Sequence, residues 1–165
     1  MLRRWKQLFE RGQDSGFSIA ELTLVMLIVG ILSAAAVPLY LGYVTDAKAA
    51  EAKVIAGSLW TALQTNAMVF CGTGAAVTGS YPRAGFNSSG ETTPSRWAVS
   101  SGGTNTLTTD CSSGARSVSA SPLFVIQGAS ADVDSIQVQL VYSPAVTPPS
   151  QLQCSKDSGA TFADC

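Results

Sequence analysis

The sequence predicts an α+β fold: a long N-terminal α-helix, membrane-spanning in its first half, packed against a small antiparallel β-sheet, with a disulfide-closed C-terminal region. Three features of the 165-residue chain lead there. Residues 17–43 are mostly apolar, with Glu21 the single charge, and the run exceeds the roughly 20 helical residues needed to cross a bilayer. Beyond Thr45, apolar residues recur every three or four positions, the period of a helix with one buried face. Residues 135–142 alternate apolar with polar, the period of a half-buried strand.

Residues 1–16 are polar and carry a net charge of +2, whereas the remainder carries −3. Positive charge before an apolar span favours a cytoplasmic N-terminus and an exported C-terminal domain. A secretory signal peptide would place its small-residue cleavage site after an apolar core of about 7 to 15 residues. Here the order is inverted. Gly16 precedes the apolar run, so a cut between Gly16 and Phe17 leaves the hydrophobic helix at the new N-terminus. Glu21 is costly within such a span, about 3 kcal/mol on insertion scales, so a partner for it is expected.

Gly16, Phe17, Glu21, Gly30 and Pro38 together resemble the N-terminal signature of type IV pilins and of the related pseudopilins of type II secretion. The resemblance is specific over about 30 residues and continues more loosely to about residue 70; Ser18 and Ala20 stand where the commonest motif has Thr and Ile. It implies removal of residues 1–16 as a leader by a prepilin peptidase, N-methylation of Phe17, and residence in the bacterial inner membrane before assembly. It also implies a homo-oligomeric helical filament in which Glu21 neutralises the Phe17 ammonium of an adjacent subunit. Two opposite charges in a dry core are favourable only together. The implied partners are the peptidase, the inner-membrane assembly machinery with its ATPase, minor pilins, and membrane lipid before assembly. On this reading residues 17–44 are the transmembrane and filament-core half of the helix, and residues 45–165 the exported globular domain.

The helix is expected to run from Phe17 to about Met68. At 1.5 Å per residue it is on the order of 80 Å long, so its second half stands outside the bilayer. Gly30 and Pro38 weaken its first half, Gly30 by about 1 kcal/mol relative to Ala and Pro38 by removing a backbone donor. The residues between them are mostly small. The plain interpretation is a proline-kinked membrane helix; the resemblance adds that this segment unwinds when subunits pack. In the second half, Ala52, Ile55, Ala56, Leu59, Ala62 and Leu63 form one apolar stripe suited to packing on a sheet.

Residues 71–96 are rich in Gly, Ser and Thr and read as a long surface loop. Three strands are expected after it: residues 97–99, residues 117–127 with the apolar run Leu123-Phe124-Val125-Ile126, and residues 135–142 with Ile136, Val138, Leu140 and Tyr142 on one face. Residues 128–132 read as the turn between the last two. An antiparallel hairpin with its apolar face on the helix stripe is the simplest assembly, ended by Pro144, Pro148 and Pro149.

Cys71, Cys111, Cys154 and Cys165 all follow the helix, and an even number in an exported domain predicts two disulfides. Of three possible pairings, Cys154 with Cys165 is favoured because the ten residues between them contain a turn-forming Lys-Asp-Ser-Gly stretch; Cys71 then joins Cys111. Closing the shorter loop contributes on the order of 2–3 kcal/mol.

No enzyme is expected. The chain has no histidine, which removes the ordinary Ser-His-Asp and Cys-His arrangements. Neither cofactor nor metal is expected: there is no Cys-x-x-Cys pair, and Asp110, Asp132 and Asp134 lack the ligand spacing of a calcium loop and read as solvated turn carboxylates. A mildly acidic exported domain makes nucleic acid an improbable partner. The expected function is therefore a structural subunit of an extracellular type IV pilus. The alternatives are a type II secretion pseudopilin working in the periplasm and, from another class, a signal-anchored periplasmic binding or enzymatic module.

Overall fold

The computed structural model describes residues 17–145 and 149–165. The chain divides into two compact units, the first ending at Gly42 and the second running Tyr43–Cys165. Helix α1 (Ile19–Val69) continues without interruption past Gly30 and Pro38. Each of residues 17–42 is exposed.

The second unit carries the core. Ala49, Ala52, Ala56, Leu59, Leu63 and Ala67 are buried along one face of α1, the stripe expected from the three- and four-residue spacing. The helix side of this contact is largely alanine, so sheet side chains approach its backbone closely. The other side supplies bulk: Trp97, Phe124, Ile126 and Leu140 are each no more than 1% exposed. Large against small is how layers fill space at crystal-like density. Burying a residue such as Leu59 or Leu63 contributes about 1.5–3 kcal/mol.

Two antiparallel sheets form the rest. The larger has the order β2 (Trp97–Ser101), β5 (Phe124–Gly128), β6 (Gln137–Tyr142), β7 (Ser150–Ser155), β8 (Ala163–Asp164). Its register sets Phe124 opposite Leu140 and Ile126 opposite Val138, then Leu140 opposite Leu152 and Val138 opposite Cys154. Directly opposed residues share a face, so one apolar face runs across three strands. Gly128 ends β5 where the following turn crosses closely: a Cβ there would lie 1.9 Å from the Val133 carbonyl oxygen. The smaller sheet has the order β1 (Ala75–Ala76), β3 (Thr106–Thr109), β4 (Arg116–Val118).

Three expectations are corrected. Residues 71–96 are not simply a surface loop. They contain β1, a 3-10 turn at Thr78–Ser80 and the short helix α2 (Tyr81–Ala84), and Ala75, Val77, Tyr81 and Phe86 are buried in the core. The segment is held to α1 by Asn66, whose amide donates to the Gly79 carbonyl at 3.0 Å and Ser80 Oγ at 2.9 Å and accepts from Arg83 at 2.7 Å. Second, residues 117–127 do not form one strand: Arg116–Val118 belongs to the smaller sheet and Phe124–Gly128 to the larger. Pro122, which has no N–H for a ladder, lies in the crossing between them. Third, the prolines do not end the sheet. Pro144 and Pro149 flank the connection, Pro148 lies outside the described residues, and β7 returns to pair with β6 along its whole length.

Candidate functional site

The start of α1 is built by Ser18 and Glu21. Ser18 Oγ accepts the Ala20 N–H at 3.3 Å, and a Glu21 carboxylate oxygen accepts the Ser18 N–H at 3.2 Å. Ser18 is the N-cap, its hydroxyl taking the second helical N–H, and Glu21 reaches back to the N-cap N–H as the Glu of a Ser-x-x-Glu capping box does, so both side chains satisfy backbone donors that a helix start otherwise leaves open. A carboxylate is also favoured there by the helix dipole. The Ser-x-x-Glu spacing stands in the sequence, and the structure adds this local role to the intermolecular one expected of Glu21. The cap fixes the carboxylate at the mouth of the helix, close in the chain to Phe17, which is 80% exposed.

Along the apolar segment, Thr23 Oγ1 donates to the Ala20 carbonyl at 3.0 Å, so its hydroxyl is satisfied within the helix. A Cβ added at Gly30 would meet nothing within 4 Å. Pro38 offers no N–H to the preceding turn, yet the helix continues. The apolar window reaches a mean hydropathy of 2.5, and α1 is the one helix among the described residues long and apolar enough to cross a membrane. Gly16, the other half of the expected scissile bond, and residues 1–16, the expected leader, lie outside the described residues.

The cysteines form two bonds, Cys71–Cys111 and Cys154–Cys165. The first ties the end of α1 to the turn between β3 and β4; the second closes β7 on the strand β8 that returns beside it. Around the second bond, Ser155 and Thr161 hydroxyls and the Thr161 N–H donate to Asp157 and hold its carboxyl down to about 2. The three aspartates considered for calcium are not gathered. Asp110 accepts from Ser112 and Ser113, Asp132 from Ser130 and from Arg96 at 2.9 Å, and Asp134 is exposed. No group of three metal-ligating side chains occurs among the described residues.

A groove of about 570 Å³ runs between the second half of α1 (Asp46, Ala49, Ala50, Lys53) and the β7–β8 hairpin (Cys154, Lys156, Ala163, Cys165). Sequence reading missed it, because its two walls are more than 100 residues apart and neither has a recognisable motif.

Comparison with known proteins gives one partial likeness. Over 53 residues the chain is 43% identical to a protein described as "Fimbrial protein" from Moraxella nonliquefaciens, covering 32% of this chain and 34% of that protein. The chain thus matches about a third of the length of this curated relative. No family model matches, and no solved structure does. The likeness and the long N-terminal apolar helix fit a pilin-like structural role.

Proposed function

We propose that this chain is a structural subunit of a type IV pilus, cut between Gly16 and Phe17, N-methylated on Phe17 and polymerised through its N-terminal helix. The observation that carries the reading is the contrast between the two units. Residues 44–165 bury a compact core, whereas residues 17–42 expose an apolar helix with Glu21 as their only charge. A contiguous apolar surface of that extent has to be covered. Lipid covers it before assembly, with residues 1–16 as a cytoplasmic leader, and the same segment of other subunits covers it afterwards. The fimbrial likeness supports this, and the absence of histidine fits a protein that polymerises rather than catalyses. The remaining partners are a prepilin peptidase, an inner-membrane assembly machinery with its ATPase, and minor pilins. Residues 45–165 then face the cell exterior, where two disulfides are stable.

Mass spectrometry of the protein from its native host tests the processing step. The reading expects Phe17 as the N-terminal residue, one methyl group heavier. An N-terminus after Ala34, Ala35 or Ala36 would instead indicate an ordinary signal peptide. Methylated subunit found only in short periplasmic fibres would favour the pseudopilin reading.

A further inference from the structure

The two edges of the five-stranded sheet are closed in different ways. At β2 the preceding chain does it: the Thr92 N–H donates to the Trp97 carbonyl and the Val99 N–H to the Gly90 carbonyl, each at 2.8 Å. Glu91 also bridges Ala98, and the buried Trp97 anchors the strand. At the opposite edge β7 pairs with β8 at Gln153 and Cys154, and the Cys165 N–H donates to the Leu152 carbonyl at 3.2 Å. Of residues 160–165 only Phe162 is not exposed. A two-residue strand that buries so little offers small return for the entropy of ordering it. Its side-chain ties to α1, Lys53 to the Cys165 carbonyl and Lys156 to Asp46, are exposed contacts of a kind that contributes little. The firm tie is covalent, from Cys165 to Cys154.

We propose that the Cys154–Cys165 bond guards this edge: by holding β8 across β7 it keeps β7 from pairing with the β7 strand of a second copy of the chain. An edge strand presents unpaired N–H and C=O groups to any other strand, and natural sheets blunt that hazard with shortness, charge or cover. β8 supplies all three. It covers β7, is two residues long and carries Asp164.

β7 has no such protection of its own. Residues 135–155 carry no charge, and the proline nearest to β7, Pro149, stands before the strand and not within it. This composition also selects the partner. Two copies of one strand meeting antiparallel make an isologous contact, in which any charge is set against its own kind; β7, with the sequence Ser-Gln-Leu-Gln-Cys-Ser, has none to oppose the pairing. A different protein would need charge or large apolar side chains to recognise, and Leu152 is the one strongly apolar residue β7 offers. Main-chain bonds of the kind that add a strand to an exposed sheet edge would carry the contact.

The test uses the full-length chain in detergent, intact and as Cys154→Ala with Cys165→Ala, which keeps the Cys71–Cys111 bond. Sedimentation measures self-association. Both chains keep α1, so association through its apolar half is common to them and cancels in the comparison. The double variant is expected to associate about tenfold or more tightly than the intact chain. With benzoylphenylalanine in place of Gln153, irradiated mixtures of isotopically light and heavy double-variant chains are expected to crosslink to residues 150–155 of the other copy. Adding Gln151→Lys sets like charges against each other across the paired strands and is expected to return association to the intact level, a rescue that general unfolding would not show. Equal association of the intact and double-variant chains, crosslinks to other residues, or association that Gln151→Lys leaves unchanged would each overturn the proposal.

Discussion

The indole N–H of Trp97 donates to the Glu51 carboxylate at 2.9 Å, joining the first residue of β2 to the second half of α1. The other Glu51 oxygen meets Arg96 at 3.4 Å, and Arg96 pairs with Asp132 at 2.9 Å. Lys48 Nζ donates to the Asp132 carbonyl at 2.6 Å. Helix, sheet edge and the β5–β6 turn therefore meet in one polar cluster over the apolar core.

These ion pairs are more than a third exposed and contribute little. The indole bond matters more, because the Trp97 residue is 1% exposed. Glu51→Ala leaves that donor without its acceptor and is expected to lower stability by about 1–2 kcal/mol. Trp97→Ala, which empties the site, is expected to lose about 3–5 kcal/mol. Urea unfolding of the detergent-solubilised chain measures both; equal losses would show that the ring's packing against α1 is not the dominant contribution.

The two disulfides close loops of different length, with sequence separations of 40 and 11. In the chain-entropy account the longer contributes about 4 kcal/mol and the shorter about 3. Cys71→Ala with Cys111→Ala should therefore be the more damaging pair, and Cys154→Ala with Cys165→Ala should loosen β8 while α1 remains. Non-reducing peptide mapping checks the pairing, and hydrogen exchange checks the local effect. A Cys71–Cys165 peptide, or loss of helix protection in the second variant, would contradict this.

Asp157 and Asp110 link stability to acid. Side-chain donation from Ser155 and then Thr161 holds the Asp157 carboxyl down to about 2, and donation from Ser113 and then Ser112 does the same for Asp110. An unfolded aspartate titrates near 3.9. With the folded value below the unfolded one, the contribution is complete above about pH 4 and is lost as pH falls toward about 2. Asp157→Asn with Asp110→Asn should flatten the stability profile between pH 2 and 4. An unchanged slope in the double variant would mean that these hydroxyl contacts do not persist in solution.

What the sequence revealed depended on whether a residue's environment was local or distant. The α1 stripe from Ala52 to Leu63 was legible because a helix repeats its buried face every three or four residues, and residues 136–142 because a strand repeats every two. The core contribution of Val77, Tyr81 and Phe86 was not, since they sit at irregular intervals among glycines and serines and are placed by the Asn66 contacts from α1. Strand β7, with Leu152 as its one strongly apolar residue, forms because β6 offers it a ladder. Glu21 stands out in the sequence by its charge within an apolar run, while its bond to the Ser18 N–H follows the local Ser-x-x-Glu spacing that the charge does not reveal.

The central claim is that Glu21 acts by charge toward another subunit, and Glu21→Gln tests it most directly. Gln keeps an acceptor oxygen for the Ser18 N–H, so that local bond remains, while the charge that would meet a neighbouring Phe17 ammonium is gone. Stranding one member of a buried pair costs roughly 3–5 kcal/mol. The measurement is sheared surface filament relative to the membrane pool of processed subunit. The account predicts that Glu21→Gln inserts, is cut after Gly16 and folds, but assembles little filament on its own. Filament at wild-type levels from Glu21→Gln alone would contradict it, leaving Glu21 as a helix cap and nothing more.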